Sequence, residues 1–251
     1  MKVLACYSIK GGVGKTAAAV NLAHSAAASG LRTVLIDLDP QGASSYYFRV
    51  VASPKKWAAR FFDAYEELLK HIKASDYDLL DIVPANLGFR HFDKQLGSLG
   101  KREQRIKRIL KGLKGEYDLV ILDCPPSIGY LAEAVFVAAD AVLVPVIPTT
   151  LSERTFEQLL AFFADGDYPQ ERIVPFFSMV QAQKSLHQST MAAMAARHPR
   201  FLSATIPHSS DIERMGEYKA PLEVFARAKP ASVAFSQLWT ELAGVLKLPQ
   251  R

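Results

Sequence analysis

Short apolar segments without polar alternation recur along this chain of 251 residues. Leu119–Asp123 and Ala141–Ile147 are two of them, and helix-forming patterns separate one such segment from the next. Strands that are covered on both faces have this composition, because neither side of the strand meets water. The sequence therefore predicts a doubly wound α/β fold, in which a mostly parallel sheet is flanked by helices on both faces.

The predicted strands are Val3–Ser8, Thr33–Asp37, Leu79–Val83, Leu119–Asp123, Ala141–Ile147, Ile173–Val180 and Ala204–Ile206. The predicted helices are Gly14–Ser29, Trp57–Ala74, Arg102–Leu113, Tyr130–Ala138, Ser152–Ala164, Ser185–Arg197, Ser210–Met215 and Ser232–Leu246. The first helix is rich in alanine, which favours helix and lets it approach a sheet closely. We see no repeat and no linker composition, so residues 1–251 are expected to form a single domain.

Composition and cysteine content indicate the partners and the cellular compartment that suit this chain. A net charge of +5 is compatible with nucleic acid or anionic lipid, and equally with a solvated basic surface. Cys6 and Cys124 lie in predicted strands, which indicates buried free thiols in a reducing compartment. The apolar run before Lys10 is too short for a signal peptide or a membrane span. We therefore expect a cytoplasmic protein.

A glycine-rich turn, Lys10-Gly-Gly-Val-Gly-Lys15-Thr16, joins the first predicted strand to the first predicted helix. Its glycines permit backbone torsions that direct successive N–H groups inward, where they can cradle phosphate oxygens. The positive end of the helix dipole adds to this attraction. Lys15 is then placed to contact the terminal phosphates, and the Thr16 hydroxyl to bind Mg²⁺. The predicted nucleotide-binding residues here are Gly11, Gly12, Val13, Gly14, Lys15, Thr16 and Ala17.

Acidic residues stand at the ends of two predicted strands. Asp37 and Asp39 follow one apolar run, and Asp123 ends another. Carboxylates at the carboxyl ends of parallel strands face the ligand crevice. An isolated Asp-x-Asp is more often a turn or a helix cap, so the phosphate loop is what favours a functional interpretation. Asp123 has the position of a Walker B carboxylate in the shell of Mg²⁺.

The glycine-rich turn departs from the general pattern G-x-x-x-x-G-K-[ST], since Ile9 occupies the place of the first glycine. Together with Asp37-Leu-Asp-Pro-Gln-Gly42 and the strand that ends at Asp123, it resembles the deviant Walker A motif of the ParA/MinD family of P-loop ATPases. In that family a second lysine, here Lys10, precedes the glycines. The likeness covers essentially the whole chain but is less specific after residue 127. Its later segments are Val144–Thr150, Ile206–Pro207 and Ala220–Leu222.

The resemblance implies slow ATP hydrolysis with ATP and Mg²⁺ as cofactors. In an ATP-bound homodimer Lys10 would reach the phosphates in the other subunit, whereas the alternative is that it holds phosphate in its own subunit. Lys15 would be the second catalytic lysine, and Asp39 would orient or activate the attacking water. The metal site implied by the resemblance is made of Thr16, Asp37 and Asp123.

Two further groups of residues are assigned by the same resemblance. Pro207 and His208 are expected to line the adenine, with a strand-terminating turn as the alternative. Short ParA-like proteins without an N-terminal helix-turn-helix, which this chain is similar to, bind DNA nonspecifically through basic residues, and such contacts weaken with salt. The candidates, for each of which a solvated surface charge is the alternative, are Arg200, Arg214, Lys219, Arg227 and Lys229.

The function implied is that of a nucleoid-associated, ParA-like ATPase. Its ATP-dependent dimer would bind DNA and position a plasmid, a chromosome or a protein cluster, and a ParB-like or other adaptor would stimulate hydrolysis. A MinD-like membrane-associated ATPase and a small-molecule P-loop ligase are the alternatives. Membrane targeting needs a basic amphipathic C-terminal helix, but Ala231–Leu248 has Lys247 as its only basic residue and resembles a core-packing helix.

Overall fold

The computed structural model describes residues 1–52 and 55–249. The strands are β1 (Lys2–Cys6), β2 (Thr33–Asp37), β3 (Lys73–Ala74), β4 (Leu80–Val83), β5 (Leu119–Asp123), β6 (Ala141–Val146), β7 (Ile173–Val180) and β8 (Thr205–Pro207). The α-helices are α1 (Lys15–Ala28), α2 (Ala43–Tyr47), α3 (Tyr65–Leu69), α4 (Phe92–Gly97), α5 (Arg105–Lys111), α6 (Tyr130–Ala138), α7 (Thr150–Asp165), α8 (Ser185–Arg197), α9 (Ser210–Glu213), α10 (Met215–Tyr218), α11 (Leu222–Ala226) and α12 (Pro230–Leu246). The 3₁₀ segments are Lys55–Arg60, Leu87–His91, Arg102–Gln104 and Gln170–Arg172.

The strands form one sheet in the order β3-β4-β2-β5-β1-β6-β7-β8. Every pairing among these described strands is parallel except that between β3 and β4 at one edge. The order reverses at β1, where β5 lies on one side and β6 on the other. A crevice for ligands forms where the order reverses, outside the carboxyl ends of the strands. The predicted doubly wound α/β fold is confirmed.

Helices cover both faces of the sheet. Alternate residues of β1 point to opposite faces, so Ala5 joins one hydrophobic cluster with α5, α6 and α7 while Leu4 joins a second with α1 and α12. The C-terminal helix α12 buries Leu238 and Leu242 in that second cluster, as predicted. No helix in the described part of the chain has both the length and the hydropathy to cross a bilayer. Cys6 and Cys124 are buried free thiols, which was also predicted.

The predicted helix Trp57–Ala74 is wrong. The chain there forms a 3₁₀ segment, then α3, and then the short edge strand β3. Ala64 has extended torsions, with φ −156° and ψ 157°, which interrupt any continuous helix. Trp57 and Phe61 both make edge-to-face ring contacts with Phe89 in the same core, so aromatic packing overrides local helix preference in this segment.

Candidate nucleotide-binding site

The glycine-rich turn connects β1 to α1 at the carboxyl edge of the sheet. Gly12 and Gly14 have φ values of 70° and 98°, in the left-handed region that side chains other than glycine disfavour. A Cβ atom at Gly14 would also lie 2.9 Å from Ser178 Oγ, so this turn requires glycine for two separate reasons. The helix that follows begins at Lys15 and directs its free N–H groups toward the turn.

The side chain of Lys15 folds back over the turn that precedes it. Its ammonium group donates a hydrogen bond to the Lys10 carbonyl oxygen at 3.2 Å, and the residue is 6% exposed. Burial lowers the pKa of Lys15, and the nearby Asp123 opposes that shift. A buried ammonium group that is satisfied by a backbone carbonyl is placed to neutralise anionic phosphate.

Two acids stand side by side beneath this loop. Asp37 and Asp123 are register partners on the adjacent strands β2 and β5, and both are fully buried. Burial is the main cause that raises the pKa of each, to about 8 for Asp37 and about 6 for Asp123. The charge of Asp123 adds to the shift at Asp37, whereas hydrogen bonds from Ser44 and Thr16 oppose the shift at Asp123.

Each of these acids has one oxygen with a partner and one without. Oδ1 of Asp37 and Oδ1 of Asp123 are buried and accept no hydrogen bond from the described residues. A hard cation satisfies such carboxylate oxygens, and Thr16 adds a hydroxyl oxygen beside Asp123. The donor set therefore fits Mg²⁺ at the position predicted from Thr16, Asp37 and Asp123.

A cavity of about 470 Å³ lies in front of the loop. Residues 11–17 and Asp39 line this cavity. The predicted phosphate-binding residues and the predicted water-orienting acid therefore lie around one cavity. Asp39 is half-buried, and its Oδ1 accepts a hydrogen bond from the Gln41 N–H at 2.9 Å. Asp37 and Asp123 do not line this cavity themselves, but Thr16 and Lys15 do, and both act on the pKa of Asp123.

The far wall of the cavity was not identified from the sequence. The predicted base-side residues Pro207 and His208 do not line it, and the neighbouring Ile206 does. The His208 N–H instead pairs with the Val180 carbonyl oxygen at 2.9 Å in a strand-terminating connection. The apolar side chains on this wall are Met179, Ile206, Ile212 and Phe235. A base could stack there, on residues that come from three separate parts of the sequence.

Lys10 lies apart from this cavity. Its side chain is half-buried and lines a small neighbouring groove with Ser152 and Phe156 of α7. Lys15 therefore lines the nucleotide cavity, whereas Lys10 lines the neighbouring groove.

The five candidate DNA-binding residues lie on the surface but differ in their surroundings. Arg214 pairs with Asp211 and Glu217, and Arg227 pairs with Glu223. The other three are Arg200, which donates to the Gln170 carbonyl oxygen, Lys219, which lies over the ring of Tyr46, and the exposed Lys229.

A parallel sheet with a two-lysine phosphate loop at its switch point, and with acids at the ends of β2 and β5, defines a P-loop nucleotide-binding protein of the deviant Walker A class. A family model described as "AAA domain" matches residues 1–167. The chain belongs to this family, as a ParA/MinD-type P-loop ATPase.

Two relatives of this type each match a little over half of the chain. The sporulation initiation inhibitor protein Soj of Bacillus subtilis (strain 168) is 37% identical over 146 residues, which is 58% of this chain and 58% of Soj. The chromosome partitioning protein ParA of Myxococcus xanthus (strain DK1622) is 35% identical over 151 residues, 58% of this chain and 52% of that protein. The matches thus span little more than half the length of these relatives.

Solved structures share the fold over nearly the full length. The ATP complex of a Cyanothece McdA variant superposes with a TM-score of 0.82 at 19% identity, covering 100% of this chain and 98% of that one. Cobyrinic acid a,c-diamide synthase from Mycobacterium smegmatis, with bound ADP and magnesium, gives 0.79 at 24% identity, covering 100% and 99%. At these identities the likeness supports the architecture alone.

Proposed function

We propose that the chain binds ATP·Mg²⁺ in the 470 Å³ cavity and hydrolyses it slowly as a dimer. One observation carries this proposal: the glycine loop, Lys15, Thr16 and Asp39 line a single cavity that has two buried acids beside it. The loop N–H groups and Lys15 would hold the phosphates, and Thr16, Asp37 and Asp123 would hold Mg²⁺, which neutralises phosphate charge when bound. Asp39, on the rim, orients the attacking water.

Lys10 makes hydrolysis depend on the dimer in this proposal. Lys10 lines a neighbouring groove and is not among the residues that line the nucleotide cavity of its own chain, which supports a role at the nucleotide of a second copy. A cation delivered in trans stabilises the charge that develops on the transferred phosphoryl group, so that hydrolysis waits for association.

The biological role that we propose is positioning. The ATP-bound dimer binds nucleoid DNA without sequence preference, and an adaptor protein of the ParB kind stimulates hydrolysis and releases it. The likeness to a chromosome partitioning protein of Myxococcus xanthus supports this role, as does the basic net charge of +5.

Light scattering after size exclusion tests the mechanism. With ATP·Mg²⁺ we expect wild-type protein to shift toward a dimer, Asp39→Ala to accumulate the dimer, and Lys10→Ala to remain monomeric while still binding ATP. Lys15→Ala should lose ATP binding. Lys111→Ala is the matched control, because that exposed lysine ends α5 close to the amino-terminal edge of the sheet. Dimerisation of Lys10→Ala equal to that of Lys111→Ala would refute the trans role.

Co-sedimentation tests the surface that the dimer uses. Asp39→Ala is mixed with random duplex DNA or with anionic liposomes, in ATP or in ADP. Pelleting with DNA in ATP alone is expected. Pelleting with liposomes but not with DNA would contradict the positioning role on DNA and favour a membrane-associated ATPase.

A further inference from the structure

Two consecutive serines at the start of α2 each hold one of the buried acids. The Ser44 hydroxyl donates to Asp123 Oδ2 at 2.6 Å. The Ser45 hydroxyl donates to Asp37 Oδ2 at 2.7 Å, and the Ser45 N–H donates to the same oxygen at 2.9 Å. The two acids are neighbours on adjacent strands, so a single turn of helix binds both.

The pattern of occupied oxygens is the same at both acids. Oδ2 of each receives a serine hydroxyl, and Oδ1 of each is buried without a partner among the described residues. The terminal torsion of an aspartate is broad and nearly two-fold, so nothing intrinsic to the side chain selects which oxygen faces the metal position. The two hydroxyl groups make that selection, because they fix Oδ2 and leave Oδ1 for a cation.

Ser45 is itself held in a single orientation. Its oxygen accepts a hydrogen bond from the Ala85 N–H at 2.8 Å, so its only hydrogen is left for Asp37. Ser44 is fully buried and Ser45 is 6% exposed, which excludes bulk water as a substitute donor. Both contacts therefore belong to the packed interior.

We propose that Ser44 and Ser45 are positioning residues for the metal site, an inference that rests on the proposed binding of ATP·Mg²⁺. They orient Asp123 and Asp37 without touching nucleotide. Because α2 begins four residues after Asp39, one short segment carries both the acid that orients water and the hydroxyl groups that orient the metal-site acids.

The experiment separates metal binding from nucleotide binding. Binding of the fluorescent analogue mant-ATP is measured in EDTA and then during titration with MgCl₂. For Ser44→Ala we expect the Mg²⁺ concentration at half-saturation to rise about tenfold, the lower end of the usual effect of removing an outer-shell partner. Affinity in EDTA should stay within about twofold of wild type, since the loop and Lys15 are untouched.

Ser98→Ala is the matched control, because Ser98 is an exposed serine whose hydroxyl donates to a backbone carbonyl oxygen. Its Mg²⁺ titration should match that of wild type. If Ser44→Ala proves unfolded in a thermal melt, Ser44→Cys replaces it, because the slightly larger thiol leaves no cavity but is a weak donor.

Three outcomes distinguish the ideas. A selective loss of Mg²⁺ affinity in the Ser44 variant, with binding in EDTA retained, supports the positioning role. An unchanged Mg²⁺ midpoint, or equal losses with and without Mg²⁺, overturns it, because the serine then acts only in general packing. Failure of wild-type protein to bind mant-ATP with Mg²⁺ would instead refute the proposed function.

Discussion

Asp37 shows how a single side chain sets a dependence of stability on pH. It is fully buried beside Asp123, and its pKa is raised to about 8 by burial and by that neighbouring charge. In the unfolded chain an aspartate titrates near pH 3.9. Between about pH 4 and pH 8 the folded protein therefore keeps a proton that the unfolded chain has released.

The sign of the effect follows directly. Where the folded state binds more protons than the unfolded state, the free energy of unfolding falls as pH rises. Asp37 therefore lowers the free energy of unfolding by a growing amount until the pH reaches its folded pKa of about 8. We expect Asp37→Asn to raise the melting temperature of nucleotide-free protein in EDTA at pH 7.5 by roughly 3–6 °C, for a gain of about 1–2 kcal/mol. At pH 4.5 the difference should be small. Thermal melts at the two pH values measure it.

Asp63→Asn is the control for this prediction, because Asp63 is exposed and the substitution changes the same functional group. It should shift the melting temperature little at either pH. A lower melting temperature for Asp37→Asn than for wild type at pH 7.5 would show that the hydrogen bonds from Ser45 outweigh the cost of keeping Asp37 protonated above its unfolded pKa.

At the scale of elements, the loop between β1 and α1 depends on glycine at one position in particular. Gly14 combines a φ of 98° with a neighbour, Ser178 Oγ, that a Cβ atom would meet at 2.9 Å. We expect Gly14→Ala to lower the melting temperature by about 2–6 °C, because a left-handed residue costs about 1–2 kcal/mol before any steric contact. Affinity for mant-ATP, measured by fluorescence titration, should fall more than about tenfold, since the loop N–H groups lose their orientation.

Gly244 provides the opposite case with the same substitution. It lies exposed in α12, and a Cβ atom there would meet nothing within 4 Å. Gly244→Ala should raise the melting temperature by about 1–3 °C, because alanine is favoured over glycine in a helix by about 0.8–1 kcal/mol. It should leave mant-ATP binding unchanged. Equal effects of the two variants would contradict the assignment of the loop.

The elements that could be predicted are those with a strong local signal. The apolar runs predict both ends of β2, β5 and β7 correctly, and the helix-forming patterns do the same for α6 and α8. Among the missed elements are α2, which is only five residues long, α4, and the two-residue strand β3. Pieces this short carry no periodicity, and contacts to the rest of the protein stabilise them. Among those contacts are the bonds from Ser44 and Ser45 to the buried acids.

At the scale of the whole molecule, the candidate site is closed by residues far apart in sequence. The phosphate side lies within residues 11–17 and could be predicted from a motif. The apolar wall includes Phe235, which reaches the cavity because the C-terminal part of the chain returns to α1. The Leu222 N–H donates to Asn21 Oδ1 at 2.9 Å, and the Trp239 indole donates to Ser29 Oγ at 2.9 Å. A local sequence pattern does not reveal such long-range hydrogen bonds. The sequence therefore predicts Pro207 and His208 on the base side and does not identify the apolar wall.

Charge is also a property of the whole surface, and its distribution gives the last prediction. Lys219 and Lys229 are exposed, whereas Arg214 and Arg227 are paired with acids. An unpaired cation releases more counterions from DNA than one already neutralised. We therefore expect Lys219→Ala and Lys229→Ala to weaken binding of the ATP-bound Asp39→Ala protein to random duplex DNA more than Arg227→Ala does. Each lysine that contacts a phosphate should reduce the slope of log K against log salt by about one.

Fluorescence anisotropy with labelled random duplex, at several salt concentrations, measures those slopes. Lys107→Ala and Lys111→Ala serve as controls, because these exposed lysines lie on α5, outside the set of candidate DNA-binding residues. They remove the same charge at another place, so any effect of net charge alone appears in them too. Slopes reduced equally in both pairs of variants would mean that DNA senses only the overall charge of +5. A reduction confined to Lys219 and Lys229 would place the DNA contact on the C-terminal half of the chain, where Lys219 lies over the ring of Tyr46 in α2.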